Sequence, residues 1–183
     1  MKIAIVGYDI EGQASYRYYA GEGDHDIYIF DEAEELRGAP ESATVVTGRG
    51  ALDRLREMSF DLVVRTPGLP LAKLKGIVNV SSATREFFDR CPAPIIGVTG
   101  SKGKGTTASL IAGILEADGR TVHLVGNIGR PALDLLPEIT PEDVVVYELS
   151  SFQLWDLDQS PRVAVVLMIE PDHLDKHTDL DDY

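Results

Sequence analysis

Short, continuous runs of aliphatic and β-branched residues alternate along this chain with longer stretches of mixed character. The runs fall at 3–6, 27–30, 45–46, 62–64, 77–80, 95–98, 121–125, 144–147 and 163–169. Continuous apolar runs, rather than strict alternation, suit strands covered on both faces, as in a parallel sheet. The stretches between them are long enough for crossover helices. The clearest helix is predicted over 106–117, where Leu110, Ile111, Ile114 and Leu115 form an apolar stripe. Gly119 stands where a C-terminal glycine would end it. The pattern predicts an α/β fold with parallel sheets.

One interruption divides the series. Arg90-Cys91-Pro92-Ala93-Pro94 places two prolines at alternate positions, which stops a helix predicted over 82–89 and favours extended backbone. A boundary at 92/93 follows, with a Rossmann-like domain over 1–92 and a second domain over 93–183.

Charge and composition narrow the classes of function. The 183 residues carry 17 Lys and Arg against 30 Asp and Glu, a net charge of −13. Such a surface repels phosphate backbones, so no nucleic-acid partner is expected. Cys91 is the single cysteine and cannot form an internal disulfide. No apolar run approaches the roughly 18 residues of a membrane span, and strand 3–6 follows Met1 too closely for a signal peptide. A cytoplasmic monomer with no membrane partner is expected.

The strongest chemistry lies in the second domain. Strand 95–98 runs into Gly100-Ser101-Lys102-Gly103-Lys104-Gly105-Thr106, and a helix follows at once. Glycines allow backbone N–H groups to cradle anionic oxygens, and a helix N-terminus adds partial positive charge. Lys104 is placed to reach terminal phosphates. The usual phosphate-loop pattern has Ser or Thr directly after the lysine, whereas this chain has Gly105. Thr106 is the candidate Mg²⁺ hydroxyl, with Thr107 as the alternative. Glu148, after the strand at 144–147, and His173, after the strand at 163–169, fall on the same sheet edge. That edge is where open α/β sheets bind ligands.

Four segments occur in order: 97–107, Gly-Asn-Ile-Gly at 126–129, Glu-Leu-Ser-Ser-Phe-Gln-Leu at 148–154, and Asp172-His173-Leu174-Asp175. Together they resemble the ATP-dependent Mur ligases, and the 148–154 string resembles the D-glutamate-adding branch. The resemblance covers essentially the whole chain. It implies that residues 100–106 bind ATP, with Lys104 on the β- and γ-phosphates, and that Glu148 and His173 help hold Mg²⁺. It implies that Asn127, Ser150 and Ser151 face the muramoyl-peptide or the metal-bound phosphate, with Lys104, Asn127 and His173 in catalytic positions. Lys102 stands where most members have Asn. The implied reaction joins D-glutamate to UDP-N-acetylmuramoyl-L-alanine through an acyl phosphate, at the expense of ATP.

The first domain opens with Gly7-Tyr8-Asp9-Ile10-Glu11-Gly12, nearly a dinucleotide fingerprint, and an acid, Asp31, follows about twenty residues on. Asp9 replaces the middle glycine, and its carboxylate would crowd and repel a pyrophosphate. The family resemblance implies a different use, binding of the UDP end of the substrate. Ile10 and Glu11 would meet the uracil, Asp31 would match an acid after the second strand, and Thr66-Pro67-Gly68 would meet the diphosphate. Glu32 and Ala33 do not supply the Thr-Arg pair of some members. The resemblance further implies a carbamoylated lysine beyond Tyr183 and a third, amino-acid-binding domain, so that an N-terminal fragment inactive alone is expected. Another ligase of the superfamily, including a folylpolyglutamate-type enzyme, and a non-catalytic UDP-sugar- or nucleotide-binding module are the alternatives.

Overall fold

A computed structural model describes residues 1–173, 176, 177 and 179–183. Leu174 and Asp175 of the Asp-His-Leu-Asp string lie outside the described residues. The chain divides into two compact units, Met1–Glu86 and Phe87–Tyr183. The partition falls inside helix α3 (Ala83–Arg90), ahead of the prolines at 92 and 94. The reason is visible in the aromatic packing: Phe87 and Phe88 both lie 5.5 Å from the ring of Tyr147 in the second unit.

The first unit contains β1 (Lys2–Val6), α1 (Ile10–Glu22), β2 (Asp26–Asp31), β3 (Thr44–Thr47), α2 (Ala51–Arg56), β4 (Leu62–Arg65) and β5 (Val80–Ser82). The strands form one parallel sheet in the order β3-β2-β1-β4-β5. The order in which strands are added reverses beside β1, which makes its C-terminal edge the expected crevice. Ala4, Val6, Phe30, Leu52, Leu55, Phe60, Val63 and Leu74 form a core on one face. Strand β5 lies later than the run at 77–80 predicts, because Asn79 has φ 58° and breaks extended backbone there.

The second unit contains β6 (Ile95–Thr99), α4 (Lys104–Ala117), β7 (Val122–Gly126), α5 (Ala132–Leu135), β8 (Val144–Glu148), α6 (Ser151–Leu154) and β9 (Val163–Val166). Its parallel sheet has the order β7-β8-β6-β9. Helix α4 closes as its sequence predicts, with Gly119 at φ 84° and its N–H on Glu116 O at 2.9 Å. Its buried face differs from the predicted stripe. Ala108 and Ala112 are buried, with Ile111 and Leu115 packed beside them, while Leu110 is 62% and Ile114 68% exposed. The i, i+3, i+4, i+7 series thus runs through two alanines, whose small side chains let the helix lie close to the sheet. Strand β9 stops at Val166 although the apolar run continues. Beyond it the backbone passes from the end of β6 to the glycine loop, with Leu167 N on Thr99 O at 2.9 Å and Ser101 N on Met168 O at 3.0 Å.

Candidate nucleotide sites

In the first unit a cavity of about 270 Å³ opens at the C-terminal edge of the sheet, lined by the ends of β1, β2 and β4. Asp31, Thr66 and Gly68 line it, together with Asp9, Tyr8 and Lys73. Asp31 is tied to the surrounding backbone, its carboxylate accepting from Tyr8 N and Ala33 N, each at 2.8 Å. Ile10 and Glu11 form the first turn of α1, with Ile10 70% exposed. Burial pushes the Tyr8 phenol up from its ordinary value, with the nearby Tyr16 adding to the effect.

The Thr66-Pro67-Gly68 turn rests on a residue that sequence reasoning passed over. Arg65 is fully buried, and its guanidinium donates to the carbonyls of Thr66 at 3.3 Å, Pro67 at 3.5 Å and Leu69 at 3.3 Å. Lys73 was also missed. It brings a positive charge to the cavity and pairs with Glu32. Arg65 ends β4 and Lys73 lies in the short helical turn at Leu71–Leu74, and their charge is the only signal that marked them.

The damaged fingerprint has a structural explanation. Asp9 is the N-cap of α1, and its Oδ1 accepts from Glu11 N and Gly12 N at 3.2 Å each. The anion-binding end of that helix is occupied by the protein's own carboxylate. The flanking glycines are kept for space: a Cβ at Gly12 would lie 2.1 Å from Gly7 O.

In the second unit the corresponding helix end is arranged differently. Gly103 caps α4 with φ 83°, and no side chain caps its N–H groups. Lys104 folds back over the loop, its Nζ donating to Gly100 O at 2.7 Å and Ser101 O at 3.1 Å. The Ser101 hydroxyl stitches the loop to the segment after β9, donating to Glu170 O and accepting from Glu170 N, both at 2.8 Å. Lys102 is exposed and lies 3.6 Å from the Glu170 carboxylate.

Glu148 ends β8 beside this loop because the Thr99 hydroxyl donates to Leu149 O at 2.9 Å and Leu149 N donates to Val98 O at 2.9 Å. The side chain is only 4% exposed. Its Oε1 accepts from Asn127 Nδ2 at 3.4 Å, while Oε2 has no hydrogen-bond partner among the described residues. A bare, buried carboxylate oxygen costs free energy unless a cation or donor meets it. Among the described residues no three His, Cys, Asp or Glu side chains gather into a preformed metal cage. The bare Oε2 of Glu148 fits Mg²⁺, which keeps several waters and binds through one or two carboxylates plus phosphate oxygens.

The remaining predicted residues fall into two groups. Ser150 is the N-cap of α6 in a reciprocal capping box with Gln153, so its hydroxyl has a structural role. Ser151 Oγ lies 2.9 Å from Nε2 of His177, a buried histidine to which the sequence reading gives no role and which stands just beyond the Asp-His-Leu-Asp string. The His177 ring stacks on Phe152 at 5.5 Å, and Phe152 also lies 5.1 Å from the ring of His173. Phe152 and Trp155 pack against each other and against His177, whereas Leu154 is 38% exposed. His173 has φ 50° and its side chain is about half exposed. Thr106 is exposed on the first turn of α4, and the position facing Glu148 is Gly105.

Two titratable groups elsewhere are perturbed. The Thr140 N–H and then His123 hold the Asp143 carboxyl below its ordinary value, with Nε2 of His123 3.0 Å away. Burial pushes the Cys91 thiol up, partly offset by its contact with Ala93 O. No helix among the described residues is long and apolar enough to cross a membrane.

Residues 98–183 match the family described as Mur ligase middle domain. The UDP-N-acetylmuramoylalanine--D-glutamate ligase of Acetivibrio thermocellus is 41% identical over the whole of this chain, which covers 41% of that protein. The enzyme of the same name from Symbiobacterium thermophilum is 39% identical, again over the whole chain and 42% of its own length. The UDP-N-acetylmuramoyl-L-alanine--L-glutamate ligase of Salinispora tropica is 40% identical over 96% of this chain and 41% of its own length. The chain therefore spans about two fifths of the length of these relatives.

Proposed function

Because residues 98–183 belong to the Mur ligase family, as its middle domain, we propose that this chain provides the nucleotide-binding part of an ATP-dependent amide ligase. The ligase joins D-glutamate to UDP-N-acetylmuramoyl-L-alanine in the cytoplasmic synthesis of peptidoglycan precursors. The observation that carries this reading is the bare carboxylate oxygen Oε2 of Glu148 beside an uncapped strand–loop–helix turn that bears Lys104.

ATP, when bound, would transfer its γ-phosphoryl group to the substrate carboxylate, leaving ADP and an acyl phosphate from which the amine of D-glutamate displaces phosphate, and Mg²⁺ would neutralise the phosphate charge. Lys104 exchanges its loop carbonyls for the terminal phosphates and neutralises their charge. Backbone N–H groups of residues 100–106 hold the remaining phosphate oxygens. Glu148 and His173 hold the cation, and Asn127 orients Glu148 while facing the substrate's reacting end. Ser151 supports that end beside His177. In the first unit Asp31, Thr66, Pro67 and Gly68, with Ile10 and Glu11, hold the UDP moiety. Rate enhancement on this reading comes from positioning and charge neutralisation.

One competitor has a specific observation behind it. The Salinispora ligase, named for L-glutamate, is as similar to this chain as those named for D-glutamate. The stereochemistry of the amino acid is therefore set outside the features these relatives share with the chain. A thermal-shift series tests the rest. UDP-N-acetylmuramoyl-L-alanine at 100 times its dissociation constant stabilises the chain by about 2.7 kcal/mol, and folates do not. Stabilisation by folates without stabilisation by the UDP-sugar overturns the reading.

A further inference from the structure

The position after the phosphate-loop lysine decides what completes the cation site. In the usual pattern a Ser or Thr hydroxyl there is a Mg²⁺ ligand; here the position is Gly105. A Cβ built at Gly105 would lie 3.1 Å from Glu148 Oε2 and 3.7 Å from Ile128 Cγ2. The place of the missing side chain is thus directly against the one oxygen of Glu148 that has no partner among the described residues. Asn127 occupies the other oxygen. The neighbouring hydroxyl at Thr106 is exposed to solvent one position further along the helix, about 100° around its axis.

We propose that Gly105 makes this a single-carboxylate, water-rich cation site, in which a water replaces the loop hydroxyl in the cation's shell beside Glu148 Oε2. The inference rests on the ATP-site reading above. Its physical basis is a trade between the two states of the site. A serine at 105 would place a donor within reach of Oε2 and satisfy it in the absence of cation. Glycine leaves that oxygen bare, so the empty site carries an unpaired buried charge that only a cation with its water can meet. The space left by the absent side chain is where that water fits.

Mn²⁺ bound with ADP to the 183-residue chain reports this directly, since broadening of its electron paramagnetic resonance lines in ¹⁷O-enriched water counts coordinated waters. The wild-type protein is expected to show one more coordinated water than Gly105→Ser, and Thr106→Ala is expected to leave the wild-type count unchanged. A second readout needs no nucleotide. Gly105→Ser melts at a higher temperature than wild type without cation, and Glu148→Gln does so too while losing at least tenfold in Mn²⁺ affinity. Equal water counts in wild type and Gly105→Ser overturn the inference, as does a water gained in Thr106→Ala, which would assign the ligand to Thr106. If Gly105→Ser does not fold, the Thr106→Ala count and the Glu148→Gln melt still decide. Absence of any nucleotide-dependent Mn²⁺ signal in wild type instead removes the ATP-site reading, and this inference with it.

Discussion

Two turns in this molecule share one plan and solve its central problem in opposite ways. Each leads from a buried parallel strand, through a glycine-containing loop, into a helix: β1 into α1 and β6 into α4. Each helix start has N–H groups that the helix itself cannot satisfy. At α1 the chain fills them with Asp9. At α4 no side chain fills them, and the nearby charges are a lysine turned back on its own loop and a carboxylate with one bare oxygen. The lesson is that a glycine-rich turn specifies a backbone, and the residue at the cap decides whether the turn is closed on itself or open to an anion. The first-unit cavity accordingly owes its polar character to strand ends, the 66–68 turn and Lys73 rather than to an open helix end.

The contrast can be broken by substitution, most strongly at the open turn. Lys104→Ala is expected to weaken ATP binding about 100-fold, equivalent to roughly 3 kcal/mol for a charge-assisted contact, as read by calorimetry. Unchanged affinity would remove Lys104 from the phosphate site. Next come the paired glycines. Gly12→Ala drives a methyl into the Gly7 carbonyl and should cost about 2 kcal/mol in urea unfolding. Gly105→Ala meets only side-chain atoms, of Glu148 and Ile128, and should change stability by less than about 0.5 kcal/mol. Asp9→Ala loses the α1 cap and about 1 kcal/mol, most of which Asp9→Ser restores; equal stability of all three proteins would deny Asp9 its capping role.

The smallest effect is a pH dependence away from both turns. Asp143 has a depressed folded-state pKa, so its contribution is present above its unfolded value near 3.9 and is lost as pH falls through the folded value. Thermal melts should find Asp143→Asn less stable than wild type at pH 7, with the gap closing below about pH 4. A gap of constant size down to pH 3 would mean that the charge of Asp143 is not what stabilises the Thr140 turn.

The fold was legible because parallel strands buried on both faces leave continuous apolar runs, and β1, β2, β4, β6 and β8 stand where those runs are. The misread elements have local causes. Asn79 displaces β5, and the glycine loop captures the backbone after Val166 that the apolar run had assigned to β9. The exposed faces of Leu110 and Ile114, with Val163, Val166, Met168 and Ile169 at 48–67% exposure along β9 and beyond, show that apolar character alone does not identify the core. Of the candidate site, the loop and Glu148 were readable from strand ends and spacing. Arg65 and His177 were not, because each acts through contacts distant in sequence or within a turn, with no periodicity to mark it. Asp9 was readable as an obstacle to pyrophosphate but not as a cap, since capping is a matter of backbone geometry at one residue.

The central claim, that the open helix end of the second unit takes the phosphates while the self-capped end of the first does not, is most directly tested by amide NMR. Titration of Mg²⁺–ADP into the ¹⁵N-labelled chain should move the amide signals of residues 100–107 saturably and leave those of residues 9–12 in place. Movement of the 9–12 amides, or no movement at 100–107 at saturating nucleotide, would contradict the account.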